Sequence, residues 1–199
     1  MSKTFTADWY DAAMTEPDAP AMLPLEESPW LQVYERLVAM IEPHEEVVDL
    51  GCGTGRFIEL LRRSNHYAKT IGVDWSSSAL EEASGYVSGN GLHDPSWRLE
   101  DLADWQADAE RAGNTVFVCS EVLEHLPEDI DLVRRIPPGH RFLFTVPNFE
   151  SESHLRIFPD VGDVWRRYSS LLTFRSWCFV GWEPKGIHVL ETIRRLDAW

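Results

Sequence analysis

The stretch Val47-Val48-Asp49-Leu50-Gly51-Cys52-Gly53-Thr54-Gly55-Arg56-Phe57 limits what this chain can fold into more than any other. An apolar run reads as a strand, three glycines follow at alternate positions, and a helical pattern then begins. Glycines let backbone approach a ligand closely, and a helix start offers N–H groups without intrahelical partners. The spacing narrows the ligand. A dinucleotide loop reads G-x-G-x-x-G, whereas this one reads G-x-G-x-G with an Asp two residues before the first glycine. No Lys-Ser/Thr pair follows, so a nucleoside-triphosphate loop is excluded.

Around this turn, short β-rich runs alternate with helical patterns. The runs are Val47 to Leu50, Thr70 to Asp74, Ser96 to Leu99, Val116 to Cys119 and Phe142 to Val146. Crossover helices are expected over Phe57 to Leu61, Leu80 to Val87, Leu102 to Ala112 and Val122 to Ile136, with Pro137-Pro138-Gly139 ending the last. Such alternation builds a doubly wound, mostly parallel α/β sheet. Beyond Pro147 it gives way to two strands, about Leu172 to Val180 and Ile187 to Ile193, around a turn at Glu183-Pro184-Lys185-Gly186. They predict an antiparallel C-terminal hairpin.

With 199 residues there is room for one domain. Residues 1–42 read as an N-terminal arm and lid helix and residues 43–199 as the α/β domain. Trp30, Leu31, Tyr34, Leu37, Val38 and Ile41 recur at helical spacing. Trp9, Tyr10 and Trp30 are the lid aromatics, although core packing suits Trp30 better. The net charge is −15, which repels phosphate backbones and anionic membranes. That charge is uneven: residues 1–150 hold 11 basic and 27 acidic residues, and residues 151–199 seven and six. An anionic partner would therefore be met by the last quarter, where Arg156, Arg166, Arg167, Tyr168 and Arg175 cluster, unless those arginines pair with the acidic body. Three spaced cysteines, Cys52, Cys119 and Cys178, give neither a disulfide framework nor a metal knuckle. With no signal-length or membrane-length apolar run, a soluble cytoplasmic protein is expected.

Asp74 closes the second strand 23 residues after Gly51, where a carboxylate can accept both ribose hydroxyls of an adenosine. The competing use of such a residue is a helix N-cap. Trp75 can lie against adenine, and Asp101-Leu102, after the third strand, can read the adenine edge. With these residues in place, the chain resembles the class I S-adenosylmethionine-dependent methyltransferases, within the broad small-molecule group similar to ubiquinone-pathway O-methyltransferases. The resemblance covers about residues 45–150. It implies a Rossmann-like seven-stranded sheet and S-adenosyl-L-methionine as cofactor. By the family pattern Asp49, Gly51, Cys52, Gly53, Gly55 and Phe57 hold the amino-acid and sulfonium side, and Asp74 and Trp75 the ribose and adenine face. Asp101 and Leu102 take the adenine edge, and Ser120 and Glu121 the floor beside the methyl group.

After the fourth strand comes Cys119-Ser120-Glu121-Val122-Leu123-Glu124-His125-Leu126-Pro127. Glu121 and His125 share a helical face if a helix starts early. After the fifth strand, Ser153-His154-Leu155-Arg156 brings a second imidazole to the same rim. His125 and His154 are the base candidates, with Glu121 as orienting carboxylate, for a small-molecule or saccharide acceptor. The same string also resembles small-RNA 2'-O-methyltransferases, in which Glu121, Glu124, His125 and His154 would hold Mg²⁺. The acidic chain and missing RNA-binding domain oppose that reading. A non-catalytic cofactor-binding partner protein is the remaining alternative. A nicotinamide dehydrogenase is weakened by the glycine spacing.

Overall fold

A computed structural model describes residues 11–12, 22–64, 69–89, 95–107, 114–182 and 184–196. The elements in chain order are α1 (Leu31–Val38), β1 (Glu46–Leu50), α2 (Arg56–Arg63), β2 (Thr70–Asp74), α3 (Ser77–Gly89), β3 (Ser96–Leu99), β4 (Thr115–Ser120), α4 (Asp129–Arg135), β5 (Arg141–Pro147), α5 (Val161–Tyr168), β6 (Leu172–Trp182) and β7 (Lys185–Arg194). All seven strands form one sheet in the order β3-β2-β1-β4-β5-β7-β6. The first five are parallel, and β7 runs antiparallel to β5 and β6. No described helix is long and apolar enough to cross a membrane.

Two-residue periodicity divides the strand side chains between two cores. Val48, Leu50, Phe117, Cys119, Phe142 and Phe144 bury one face with Leu132 and Val133 of α4 and Val164 and Tyr168 of α5. Val47, Val116, Val118, Leu143 and Val189 bury the other with Val33, Leu37 and Val38 of α1 and Phe57, Ile58 and Leu61 of α2. Helix α1, expected as a lid, packs on the sheet, and Trp30 packs against the same core. Arg56 and Arg63 of α2 fasten the preceding segment through the Met22 carbonyl (3.2 Å) and Glu26 (2.6 Å).

Two expected crossover helices fall short. Residues 102–104 form a single turn closed by the Trp105 N–H donating to the Asp101 carbonyl at 2.9 Å, and residues 108–113 lie outside the described residues. Trp105 is buried edge-on against Phe117, so the apolar spacing that looked helical serves core packing. The helix expected from Val122 begins only at Asp129. Pro127 has no N–H for the helical ladder, and Glu121 turns into the left-handed region at φ 57°. Glu121 and His125 therefore do not share a helical face.

The strand order reverses between β1 and β4, and the crevice beyond the carboxyl ends of strands at such a switch is where open α/β sheets bind ligands. The glycine turn follows β1, and Ser120-Glu121 follows β4.

Candidate active site

The turn after β1 is held against β2. Gly51 and Cys52 donate to the Val73 carbonyl at 2.8 and 3.1 Å. Gly51 has φ 77°, and a Cβ there would stand 2.5 Å from Val122 Cγ2, so glycine is required both for its conformation and for the close approach of the two loops. Asp74, 9% exposed, accepts the Gly53 N–H on one oxygen (2.8 Å) and the Ser76 N–H on the other (3.0 Å). A carboxylate offers about four lone-pair sites. The N–H groups of Gly53 and Ser76, with that of Trp75 acting on it as well, take part of this capacity, and the rest can meet ligand hydroxyls. Asp101, exposed at the end of β3, accepts the Ala103 N–H at 2.8 Å. The donor set thus fits an adenosyl group: a left-handed glycine turn with a carboxylate at the end of each neighbouring strand. Asp11 reaches this rim as well, accepting from Ser76 and, at 2.8 Å, from Ser78. Trp9 and Tyr10 lie outside the described residues.

Across the crevice, Thr145 of β5 fixes Glu121. The Thr145 hydroxyl donates to Glu121 Oε1 (2.8 Å) and accepts the Glu121 backbone N–H (3.0 Å), with Ser120 Oγ at 3.1 Å. These contacts hold a non-glycine residue in a backbone region that otherwise costs about 1–3 kcal/mol, a strain typical of functional turns. Residues 151–156 are stitched to residues 123–127. Leu155 N–H donates to the Glu124 carbonyl (2.8 Å), and Arg156 donates to the carbonyls of Leu123, Leu126 and Pro127, the last two at 2.6 and 3.3 Å. This stitching brings the His125 and His154 rings edge to face, with centroids 5.0 Å apart. Burial pushes His125 down to about 4 and His154 below its ordinary value, so both are neutral at pH 7. Burial also lifts Glu121 to about 7. Groups shifted in this way within one crevice mark a functional site.

Residues 47–136 match the family described as a methyltransferase domain. Over 129 residues the chain is 28% identical to a ubiquinone biosynthesis O-methyltransferase of Coxiella burnetii, covering 63% of this chain and 52% of that protein. Over 133 residues it is 35% identical to the trans-aconitate 2-methyltransferase of Pseudomonas aeruginosa, covering 64% and 46%. The chain spans about half the length of these curated relatives. Its fold superposes on the N-methyltransferase NodS of Bradyrhizobium japonicum in complex with S-adenosyl-L-homocysteine, with a TM-score of 0.69, 17% identity, and 94% and 97% of the two chains covered. For the magnesium protoporphyrin IX methyltransferase of Synechocystis with bound S-adenosylmethionine, the TM-score is 0.65 at 18% identity, covering 94% and 90%. Residues 47–136 are thus similar to a methyltransferase domain, and the fold is the one these solved structures share.

The residues singled out in the sequence divide into two groups. Asp49, Gly51, Gly53, Gly55, Asp74, Asp101, Ser120 and Glu121 stand at the strand ends or in the turn that follows β1. Cys52, Phe57 and Leu102 are buried in the core beneath, and Trp75 is half-buried. Three arginines serve the protein itself. Arg156 ties loops, Arg166 pairs with Asp163, and Arg167 pairs with buried Asp129 at 2.6 Å. Two contributors escaped the sequence reading, Thr145 and Tyr34. Tyr34 is a half-buried residue of α1 whose hydroxyl is pushed up by burial and then by the nearby Asp49 charge.

Burial, reinforced by Asp74, raises Asp49 to about 8. Its unfolded value is about 3.9, so the folded chain holds a proton that the unfolded chain releases as pH rises above about 4. Stability from this group is complete at low pH and is lost as pH climbs through 8. His125 acts oppositely, but only between about 4 and its unfolded value near 6.5. From pH 6.5 to 8.5 the carboxylates alone remain, Glu121 having the same sign as Asp49. The thermal midpoint of the ligand-free chain is expected to fall by about 5–11 °C across that range. In differential scanning calorimetry Asp49→Asn should flatten the slope. A midpoint rising over the range contradicts the assignment.

Proposed function

We propose that this chain is an S-adenosylmethionine-dependent methyltransferase acting on an oxygen or nitrogen of a small-molecule acceptor. The observation that carries the reading is Asp74, a carboxylate anchored by backbone N–H groups beside the left-handed glycine turn, on the same strand-end rim as a neutral imidazole pair. The curated relatives named above and the NodS fold support it. Asp74 and the N–H groups of the turn hold the nucleoside, and Asp101 and Leu102 the base. Bound S-adenosylmethionine supplies a methyl group already activated on a sulfonium. The chain has therefore mainly to align acceptor and donor and to manage one proton, and alignment provides much of the rate.

Glu121, His125 and His154 manage that proton. His154 is the better acceptor of a hydroxyl proton as the bond to carbon forms, since burial holds His125 down to about 4, and Glu121, lifted to about 7, is the carboxylate of the same loop as His125. The expected preference for an anionic acceptor loses support, because Arg156, Arg166 and Arg167 are engaged within the chain.

Incubating the chain with labelled cofactor and a pool of small-molecule hydroxyl and amine compounds should yield labelled product and S-adenosyl-L-homocysteine. Tight cofactor binding without product on any pool would favour a non-catalytic partner role. In His154→Ala, kcat is expected to drop by about 100-fold, the lower range for a lost general base, with cofactor affinity near wild type. Full turnover in that variant would remove His154 from the proton's path.

A further inference from the structure

Strand β6 ends the sheet, and among the described residues no strand pairs with its outer edge. Such an edge presents a row of unpaired N–H and C=O groups, which proteins guard with a bulge, a charge, a proline or shortness. The register shift between Phe174 and Ser176 guards only the start of β6. From Ser176 to Trp182 every residue pairs with β7 in unbroken register, and Ser-Trp-Cys-Phe-Val-Gly-Trp holds neither charge nor proline. An edge of this composition is an aggregation site unless something covers it.

Beside it, between α5 and β6, runs a groove of about 390 Å³ lined by Trp165, Phe174, Arg175 and Trp177 among others. Trp165 is 58% and Trp177 48% exposed, although an indole has about 150–250 Å² to bury. Trp177 is nevertheless held in place. Its N–H donates to His188 Nδ1 at 3.2 Å, and His188, itself buried, donates from Nε2 to the Phe158 carbonyl at 2.9 Å. A carbonyl only accepts, so the tautomer is fixed and the indole with it. Orienting an exposed ring through a buried imidazole reduces the entropy lost on meeting a partner, as in a preorganised hot spot.

Charge selects that partner. Residues 1–150 hold 11 basic and 27 acidic residues, whereas residues 151–199, which build this edge, hold seven and six. Two copies of a chain of net charge −15 repel one another, least so through the surface where that charge is smallest. Arg175 is exposed beside the groove and makes no ion pair among the described residues. A guanidinium over a partner's indole is favourable, and in a two-fold contact each copy supplies both, so the patch complements itself. Four indoles contribute roughly 400–500 Å², and the paired strand edges supply the rest of the about 1,000 Å² a specific interface needs.

We propose that the chain forms a two-fold dimer through β6, with the Ser176 to Gly181 segments of two copies paired antiparallel and Trp165 and Trp177 buried against the partner. The sheet then continues across the two-fold axis, and the unguarded edge is closed. This contact does not rest on the methyltransferase reading, since neither tryptophan belongs to the crevice at the strand ends.

Sedimentation velocity of the full chain, over about a hundredfold range of concentration, should show a reversible monomer–dimer equilibrium and nothing larger. Trp165→Ala and Trp177→Lys should each weaken the dimer by at least about 30-fold, the loss expected of a hot-spot tryptophan. Trp177→Lys also leaves His188 Nδ1 without its donor, so circular dichroism and the thermal midpoint are measured alongside. Trp165→Ala breaks no hydrogen bond to the core and keeps the test open if the lysine variant misfolds. A chain that stays monomeric throughout, leaving the edge to a different protein, overturns the proposal. So does a dimer whose strength neither substitution changes, or growth into open-ended oligomers, in which the edge does not close on itself.

Discussion

In Asp74→Ala, affinity for S-adenosylmethionine is expected to fall by about 100-fold or more, the larger of the two effects that bear on the donor side. The wild-type carboxylate holds the Gly53 and Ser76 N–H groups and keeps acceptor capacity for the ribose hydroxyls. Hydrogen bonds to a charged group contribute about 1.5–3 kcal/mol each, so losing two to the ligand removes about 3–6 kcal/mol, and 1.4 kcal/mol is a decade in affinity. Burial raises Asp74 above the usual carboxylate value, while the N–H groups of Ser76, Gly53 and Trp75 pull it back. Asp74→Asn separates the contributions, since an amide offers one acceptor oxygen and should retain part of the binding. Isothermal titration calorimetry on both variants, with thermal midpoints to check folding, measures the effect. Unchanged affinity in the alanine variant would assign Asp74 to holding the turn and no more.

That residue was legible in the sequence because everything it needs is local. A strand end, an acid and a glycine turn with fixed spacing specify one another, and all the strand runs fell within the observed strands for the same reason. The loop after β4 was not legible. Val122, Leu123 and Leu126 recur as on a helix, yet Leu123 is buried by its packing rather than by helical periodicity. Pro127 was the available signal that a helix could not start so early. The pairing of His125 with His154 depends on Arg156 reaching three carbonyls of the other loop, and no periodicity encodes that reach. Thr145 was hidden for a similar reason. Inside an apolar strand it reads as one more β-branched residue, and only the left-handed Glu121 opposite gives its hydroxyl a purpose.

In Asp129→Ala, the chain is expected to lose about 1–3 kcal/mol of stability, the cost of leaving the buried Tyr168 hydroxyl without its acceptor while the exposed Arg167 guanidinium turns to water. Asp129 opens α4 and is fully buried. It accepts Arg167 Nε and Nη2, each at 2.6 Å, on its two oxygens, the Tyr168 hydroxyl at 2.6 Å, and a longer contact from Arg156 at 3.5 Å. The helix start favours the negative charge as well. Truncation leaves the buried Tyr168 hydroxyl facing an apolar cavity, while the Arg167 guanidinium, 35% exposed, can reach water. For a domain of this size the thermal midpoint should drop by about 2–12 °C. Tyr168→Phe, which removes one hydroxyl and no charge, should lower it by a small fraction of that. The comparison also decides what the arginines of the last quarter are for. If Arg167 binds an anionic acceptor, Asp129→Ala frees it and tightens that binding with little loss of stability. If it is the counter-ion that seats α5 against α4, stability falls and Arg167→Ala reproduces the loss. The bidentate geometry and complete burial of Asp129 favour the second outcome, and with it an acceptor site defined by Glu121, His125 and His154 rather than by positive charge.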